Sequence, residues 1–129
     1  MTLVDASAWV ELLRDTGSPT DRRLRRLLRS GDELATSDPV AMELLAGART
    51  SLQGRKVRGV LASCRNLAVR APDWEAAASV YGACRAAGTT PRGLLDCLLA
   101  AVAIRSGIPI LTADRDFEAI AQQTRLELA

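Results

Sequence analysis

The chain has 129 residues, 48% hydrophobic and 25% charged, the proportions of one ordinary globular domain with a real core and no room for a second. Its 17 basic residues, all arginine except Lys56, stand against 15 acids; the resulting +2 is too small to imply bulk polyanion binding, and 3% aromatics exclude a base-stacking sheet. Histidine is absent, which removes Ser-His-Asp and Cys-His nucleophiles, His-ligated zinc and the histidine acid/base pair of metal-free ribonucleases.

The first element is a short apolar strand, Thr2 to Val4, followed by Asp5 and a helix with Trp9, Leu12 and Leu13 on one face. Ser18-Pro19 has the form of an N-cap with proline at the first helical position. It opens a helix with an apolar stripe of Leu24, Leu27 and Leu28 and arginines at 22, 23, 25, 26 and 29. A strand near Glu33 to Thr36 leads to Asp38-Pro39, a second cap-and-proline start, for a helix with Met42, Glu43, Leu44 and Leu45 that ends near Gly47. Val57, Val60, Leu61 and Cys64 mark a fourth helix, and Leu67 to Val69 a third strand. Pro72-Asp73 opens a helix whose inward stripe is predicted as Trp74, Ala77, Ala78 and Tyr81. Thr90-Pro91 starts the most apolar helix, Leu94 to Ile104, which Gly107 closes. Ile108 to Thr112 is predicted as a strand, Asp114 to Gln122 as a helix with Phe117, Ile120 and Ala121 inward, and Leu126 to Leu128 as a last strand.

Alternation of strands and helices with short connections predicts a single α/β domain over residues 1–129, with a parallel sheet of four or five strands covered by helices on both faces. Ligands of such sheets sit beyond the carboxyl ends of the strands, where strand order reverses. Asp5 and Asp114 fall at that edge, each directly after a strand. Both also begin helices, where Asp is a favoured N-cap, and Asp116 suits a first helical turn, so capping and chemistry are both open readings of these acids. Asp96 is different. It lies in Leu94-Leu95-Asp96-Cys97-Leu98-Leu99, a helix apolar all round, where an unpaired carboxylate costs several kcal/mol or stays protonated. Something must compensate it, and in a histidine-free chain a divalent cation is the simplest candidate. Glu43, between Met42 and Leu44, faces either the same region or solvent.

Cys64, Cys84 and Cys97 form no C-x-x-C pair and sit within apolar helical patterns, as reduced core thiols of a cytoplasmic protein do. The opening MTLVDASAWV lacks a basic leader region, and no apolar run reaches the ~18 residues of a membrane span, so no membrane is expected. The glycines at 54 and 59 are followed by Val60 and lack the lysine and hydroxyl of a phosphate loop.

VDAS around Asp5, MELLAG around Glu43, and LLDCLLAAVAIRSGIPILTADRDF from Leu94 to Phe117 occur in that order, and together they resemble a PIN-domain nuclease of the VapC type, the toxins of toxin–antitoxin pairs. The resemblance runs over essentially the whole chain. It implies that Asp5, Glu43, Asp96, Asp114 and Asp116 line a Mg²⁺ or Mn²⁺ site that hydrolyses RNA, with Asp5, Asp96, Asp114 and Asp116 as metal ligands. Ser7 and Thr112 match the hydroxyl residues that hold carboxylates or substrate, and Arg115 is placed to meet a substrate phosphate. It further implies a VapB-type antitoxin as partner, and homodimers and toxin–antitoxin hetero-oligomers as assemblies.

Hard divalent cations favour oxygen ligands and polarise phosphoryl groups, so the expected reaction is hydrolysis by metal-activated water, leaving a 5′-phosphate and a 3′-hydroxyl. Dehalogenase-like phosphatases want Asp-x-Asp after the first strand, where position 7 is Ser; receiver domains want a lysine after the fifth strand, and Lys56 is misplaced. Two further alternatives are a PIN-fold RNA-processing nuclease that is not a toxin and a catalytically silent binding module, the latter at odds with the intact set of acids.

Overall fold

A computed structural model describes residues 1–129 in full. The elements are β1 (Thr2–Val4), α1 (Ala6–Leu13), α2 (Pro19–Ser30), β2 (Leu34–Thr36), α3 (Asp38–Gly47), α4 (Ser51–Ala62), β3 (Arg65–Asn66), α5 (Ala71–Ala86), α6 (Leu94–Ser106), β4 (Ile110–Leu111) and α7 (Asp116–Gln123). The four strands form one parallel sheet in the order β3-β2-β1-β4, flanked by the seven helices. No helix is long and apolar enough to cross a membrane.

The chain lays β1, β2 and β3 outward in one direction, then returns through α5 and α6 to place β4 on the free side of β1. Strand order therefore reverses between β1 and β4. The carboxyl ends of those strands, pinned by the bond from the Asp5 amide to the Leu111 carbonyl at 2.9 Å, border the crevice that such sheets use for ligands. Leu3, Val4, Ala35, Ile110 and Leu111 fill the middle of the core, with Trp9, Leu24, Val40, Val102, Phe117 and Ile120 buried against them. The apolar helix α6 has an unbroken buried run from Cys97 to Ala103, and Gly107 ends it in a left-handed conformation at φ 67°. All three cysteines are free thiols, and Cys84 and Cys97 are buried.

Several local expectations need correction. Leu13, Leu28, Met42 and Leu45 are exposed, so α1 and α2 each bury a narrower stripe than predicted, and α3 buries Val40 and Leu44 instead. Asp38 does not cap α3. Ser37 holds that position and gives its hydroxyl to the Leu67 carbonyl at 2.6 Å, tying α3 to the segment after β3. The third strand lies two residues earlier than Leu67–Val69. It is an exposed edge strand, and hydrophobic pattern cannot mark it; the Leu67 amide still bonds Thr36 at 2.8 Å. Pro91 precedes α6 without belonging to it, and α7 begins at Asp116 rather than Asp114. Leu126–Leu128 contributes one parallel bridge to Ile110 instead of a strand. In α5 the inward stripe is Asp73, Ala77, Val80 and Cys84, while Trp74 is 63% exposed. The helix is rotated by about one residue because the Asp73 carboxylate pairs with Arg105 of α6 at 2.8 and 2.9 Å.

Candidate active site

The crevice beside β1 and β4 opens into a cleft of about 770 Å³ lined by Asp5, Glu43, Asp96, Asp114 and Asp116, with Ser7, Arg92 and Arg115. Each acid arrives by a different local rule. Asp5 terminates β1 and is the N-cap of α1. Asp96 lies in the first turn of α6, where the helix dipole favours a negative charge. Asp114 ends the turn after β4 and accepts the Asp116 amide at 3.0 Å, which fixes the spacing between the two acids and starts α7. Glu43 reaches the cleft from the middle of α3.

Asp5 makes the cap and a wider set of bonds besides. It does cap α1, but at a long 3.4 Å to the Ser7 amide; its stronger partners are the hydroxyls of Ser7 at 2.6 Å and Thr112 at 3.0 Å. All three bonds fall on Oδ2, and none on Oδ1. The hydroxyls lie 3.1 Å apart and take amide protons from Ala113 and Asp114, at 2.9 and 3.0 Å, so this network also fixes the loop that carries Asp114. Ser7 and Thr112 thus fix the position of the Asp5 carboxylate.

One oxygen from each of Asp96, Asp114 and Asp116 lies within 4.8 Å of the others. Asp5 and Glu43 stand outside this trio but line the same cleft and act on it electrostatically. Asp96 is pushed up to about 7, first by burial, then by repulsion from Asp5, Asp114, Glu43 and Asp116, and no hydrogen bond offsets these. Glu43 is solvent-exposed at the cleft rim, yet it is raised too, first by loss of water around its carboxyl and then by Asp5 and Asp114. Mutual repulsion among carboxylates with oxygen-only donors is the electrostatic signature of a site that fits a hard divalent cation.

Arg92 is the residue that sequence reading missed. It precedes α6 in a short loop, and its guanidinium bonds Asp116 Oδ2 at 3.2 Å and Asp114 Oδ1 at 3.1 Å, while its own amide bonds Asp116 Oδ2 at 3.0 Å. The signal available was the position of an arginine only four residues before an acid that demanded compensation. Arg115 lies on the cleft wall between the two acids and makes no ion pair there.

Comparison with known proteins identifies the family and the fold. A family model described as "PIN domain" matches residues 2–123. Ribonuclease VapC11 of Mycobacterium tuberculosis is 44% identical over 135 residues, spanning 100% of this chain and 98% of that protein. The fold is also that of VapBC2 from Rickettsia felis, solved with a promoter DNA fragment (TM-score 0.77, 17% identity, 99% of this chain and 96% of that one). VapBC from Salmonella typhimurium, solved with DNA, is similar at TM-score 0.75 and 20% identity, over 99% and 96%. With a full-length relative at that identity and a domain match over nearly every residue, the chain belongs to the PIN-domain family, on its VapC ribonuclease branch.

Proposed function

We propose that this protein is a metal-dependent endoribonuclease, the toxin of a type II toxin–antitoxin pair, that cleaves RNA in the cleft at the carboxyl ends of β1 and β4. The observation that carries the reading is the convergence of Asp5, Glu43, Asp96, Asp114 and Asp116, which are far apart in the chain, on one cleft where Asp96 has no protein partner for its charge. Asp96, Asp114 and Asp116 would hold the cation, Mg²⁺ or Mn²⁺, and Asp5, whose Oδ1 carries no hydrogen bond, lines the same cleft as a further ligand. Such an ion, when bound, polarises the phosphoryl group and lowers the pKa of water for in-line attack.

The chain's own residues supply position and charge. Ser7 and Thr112 orient Asp5 through short hydroxyl bonds, α6 presents Asp96 from its positive end, and Arg115 offers a cation to the RNA backbone. A VapB-type antitoxin as the partner, with homodimers and toxin–antitoxin complexes as assemblies, and the cytoplasm as location complete the reading. Its support is the 44% identical VapC ribonuclease and a chain in which all cysteines are free.

Incubation of the purified protein with cellular RNA, with Mg²⁺, Mn²⁺ or chelator, tests this directly. Cleavage only with divalent ion, leaving 5′-phosphate and 3′-hydroxyl ends, is expected. Cleavage in chelator, or 2′,3′-cyclic phosphate ends, would overturn the hydrolytic mechanism.

Ser7→Ala removes the shortest bond to Asp5 and the acceptor of the Ala113 amide. Loss of such a supporting partner typically costs about 10- to 100-fold in metal affinity or activity, and a loss in this range is expected in steady-state cleavage with Mn²⁺. Unchanged cleavage would show that Thr112 alone suffices to hold Asp5.

A further inference from the structure

Arg92 stands out because its environment runs against its exposure. Its side chain is 80% solvent-exposed, yet all of its polar partners are the two acids at the centre of the cleft. An exposed arginine is costly to hold in a single geometry and gains little from one ion pair. Here it meets two carboxylates at once, Asp114 and Asp116, in a cluster that also contains Asp96, Glu43 and Asp5. The guanidinium is the chain's own cation at the place where negative charge is most crowded. Arg115, the other arginine of the cleft, pairs with neither acid.

The anchoring of the loop is separate from the guanidinium. The Arg92 amide bonds Asp116 Oδ2 at 3.0 Å, and Pro91 and Gly93 flank it, so the loop path does not depend on the side chain. The side chain, long and solvent-facing, can leave without rearranging the fold. Its two bonds occupy Asp114 Oδ1 and Asp116 Oδ2, one carboxylate oxygen on each of two of the three acids that lie together, so the guanidinium and a cation at the trio would share the same two side chains.

We propose that Arg92 is a resident competitor for the metal site, a built-in counter-cation that pairs with Asp114 and Asp116 while the cleft holds no divalent ion and must give up those bonds when one binds. Arg92 is thereby a positioning residue. It offsets part of the repulsion between the two acids, raises the concentration of divalent ion needed to displace it, and is left free at the cleft mouth once the ion is in place. The inference rests on the divalent-cation reading of the cleft given above.

The test is Mn²⁺ binding to the intact protein, measured by calorimetry in the absence of RNA, for the wild type, Arg92→Ala and Arg92→Lys. Removing the competitor should tighten Mn²⁺ binding in Arg92→Ala by about threefold to tenfold, the scale of one or two partly exposed ion pairs. Arg92→Lys, which keeps the charge but loses the two-pronged fork, should fall between Arg92→Ala and the wild type. A gain in affinity is a readout that a damaged fold does not produce. Equal or weaker binding by Arg92→Ala would overturn the competition while leaving the metal site intact. No Mn²⁺ binding by the wild type, or binding unaffected by Asp96→Asn, would instead overturn the parent reading.

Discussion

If Asp96 is the metal ligand proposed above, Asp96→Asn is expected to lower metal-dependent RNA cleavage by more than about a hundredfold, beyond the loss for a supporting partner, and yet to leave the metal-free protein more stable than the wild type. The second half follows from the electrostatics of the cleft. The Asp96 carboxyl is pushed up to about 7 by burial and by four neighbouring acids, whereas in the unfolded chain it titrates near 3.8. Folding thus favours its protonated form, and ionising it in the folded state opposes stability. Well below 3.8 Asp96 is protonated in both states and costs nothing. The penalty grows as pH rises from there to about 7 and is constant above.

The gap between 3.8 and about 7 sets a ceiling of about 4 kcal/mol on that penalty. Because the carboxylate keeps contact with water at the cleft wall, screening reduces it to about 1 to 2 kcal/mol. Asparagine removes the charge at nearly constant volume. In chelator at pH 8 the variant should therefore melt about 3 to 8 °C above the wild type, and at pH 4 only a small fraction of that gap should remain. Adding Mn²⁺ should raise the melting temperature of the wild type by mass action and leave that of the variant nearly unmoved. Thermal melts at the two pH values, with and without Mn²⁺, check all of this. A variant that melts well below the wild type in chelator would make Asp96 a structural residue, and one that cleaves RNA normally would remove it from the site.

Much of this site was legible before any coordinates. An acid inside the helix Leu94 to Ile104, apolar on every side, is a conflict that local rules cannot resolve, and the conflict marked the residue. Asp5 and Asp114 were legible because each directly follows a strand of a parallel sheet. What remained hidden depended on side-chain partners contributed by other elements. The rotation of α5 could not be read from Trp74, Ala77, Ala78 and Tyr81, because the residue that orients the helix is a carboxylate whose partner, Arg105, is 32 residues away. Likewise β3 is two exposed residues, Arg65 and Asn66, held by backbone bonds alone, and leaves no mark in hydrophobic pattern. Arg92 escaped for the same reason: one arginine among many, its importance lies in where the β4–α7 turn brings Asp114 and Asp116.

Asp73→Ala should be the most destabilising change among the acids while leaving the chemistry of the cleft in place. The Asp73 carboxylate is 2% exposed and receives Arg105 Nε and Nη2 at 2.8 and 2.9 Å and the Arg70 amide at 2.7 Å. The same arginine also bonds the Ala68 carbonyl at 2.9 Å, so one ion pair joins the start of α5, the end of α6 and the segment after β3. Truncation strands a partly buried guanidinium and an amide at a helix start. Breaking a buried pair typically costs about 3 to 5 kcal/mol, and since Arg105 keeps some access to water, about 2 to 4 kcal/mol is expected, a fall in melting temperature of about 10 °C or more.

The sign with pH is opposite to that of Asp96. Here the guanidinium and the hydrogen bonds hold the carboxyl below its usual 3.8, so the stabilisation is fully present above that value and is lost as pH falls through the lower folded value. The gap between wild type and variant should be wide at pH 7 and close on acidification, whereas the gap for Asp96→Asn, of the other sign, has largely closed by pH 4. Asp73 pairs with Arg105 at the carboxyl end of α6, and Arg105 lies about 14 Å along that helix from Asp96 at 1.5 Å per residue, so Mn²⁺ affinity below the melting range should not change. Weakened Mn²⁺ binding in Asp73→Ala would mean that the orientation of α6, and with it Asp96, depends on this remote pair.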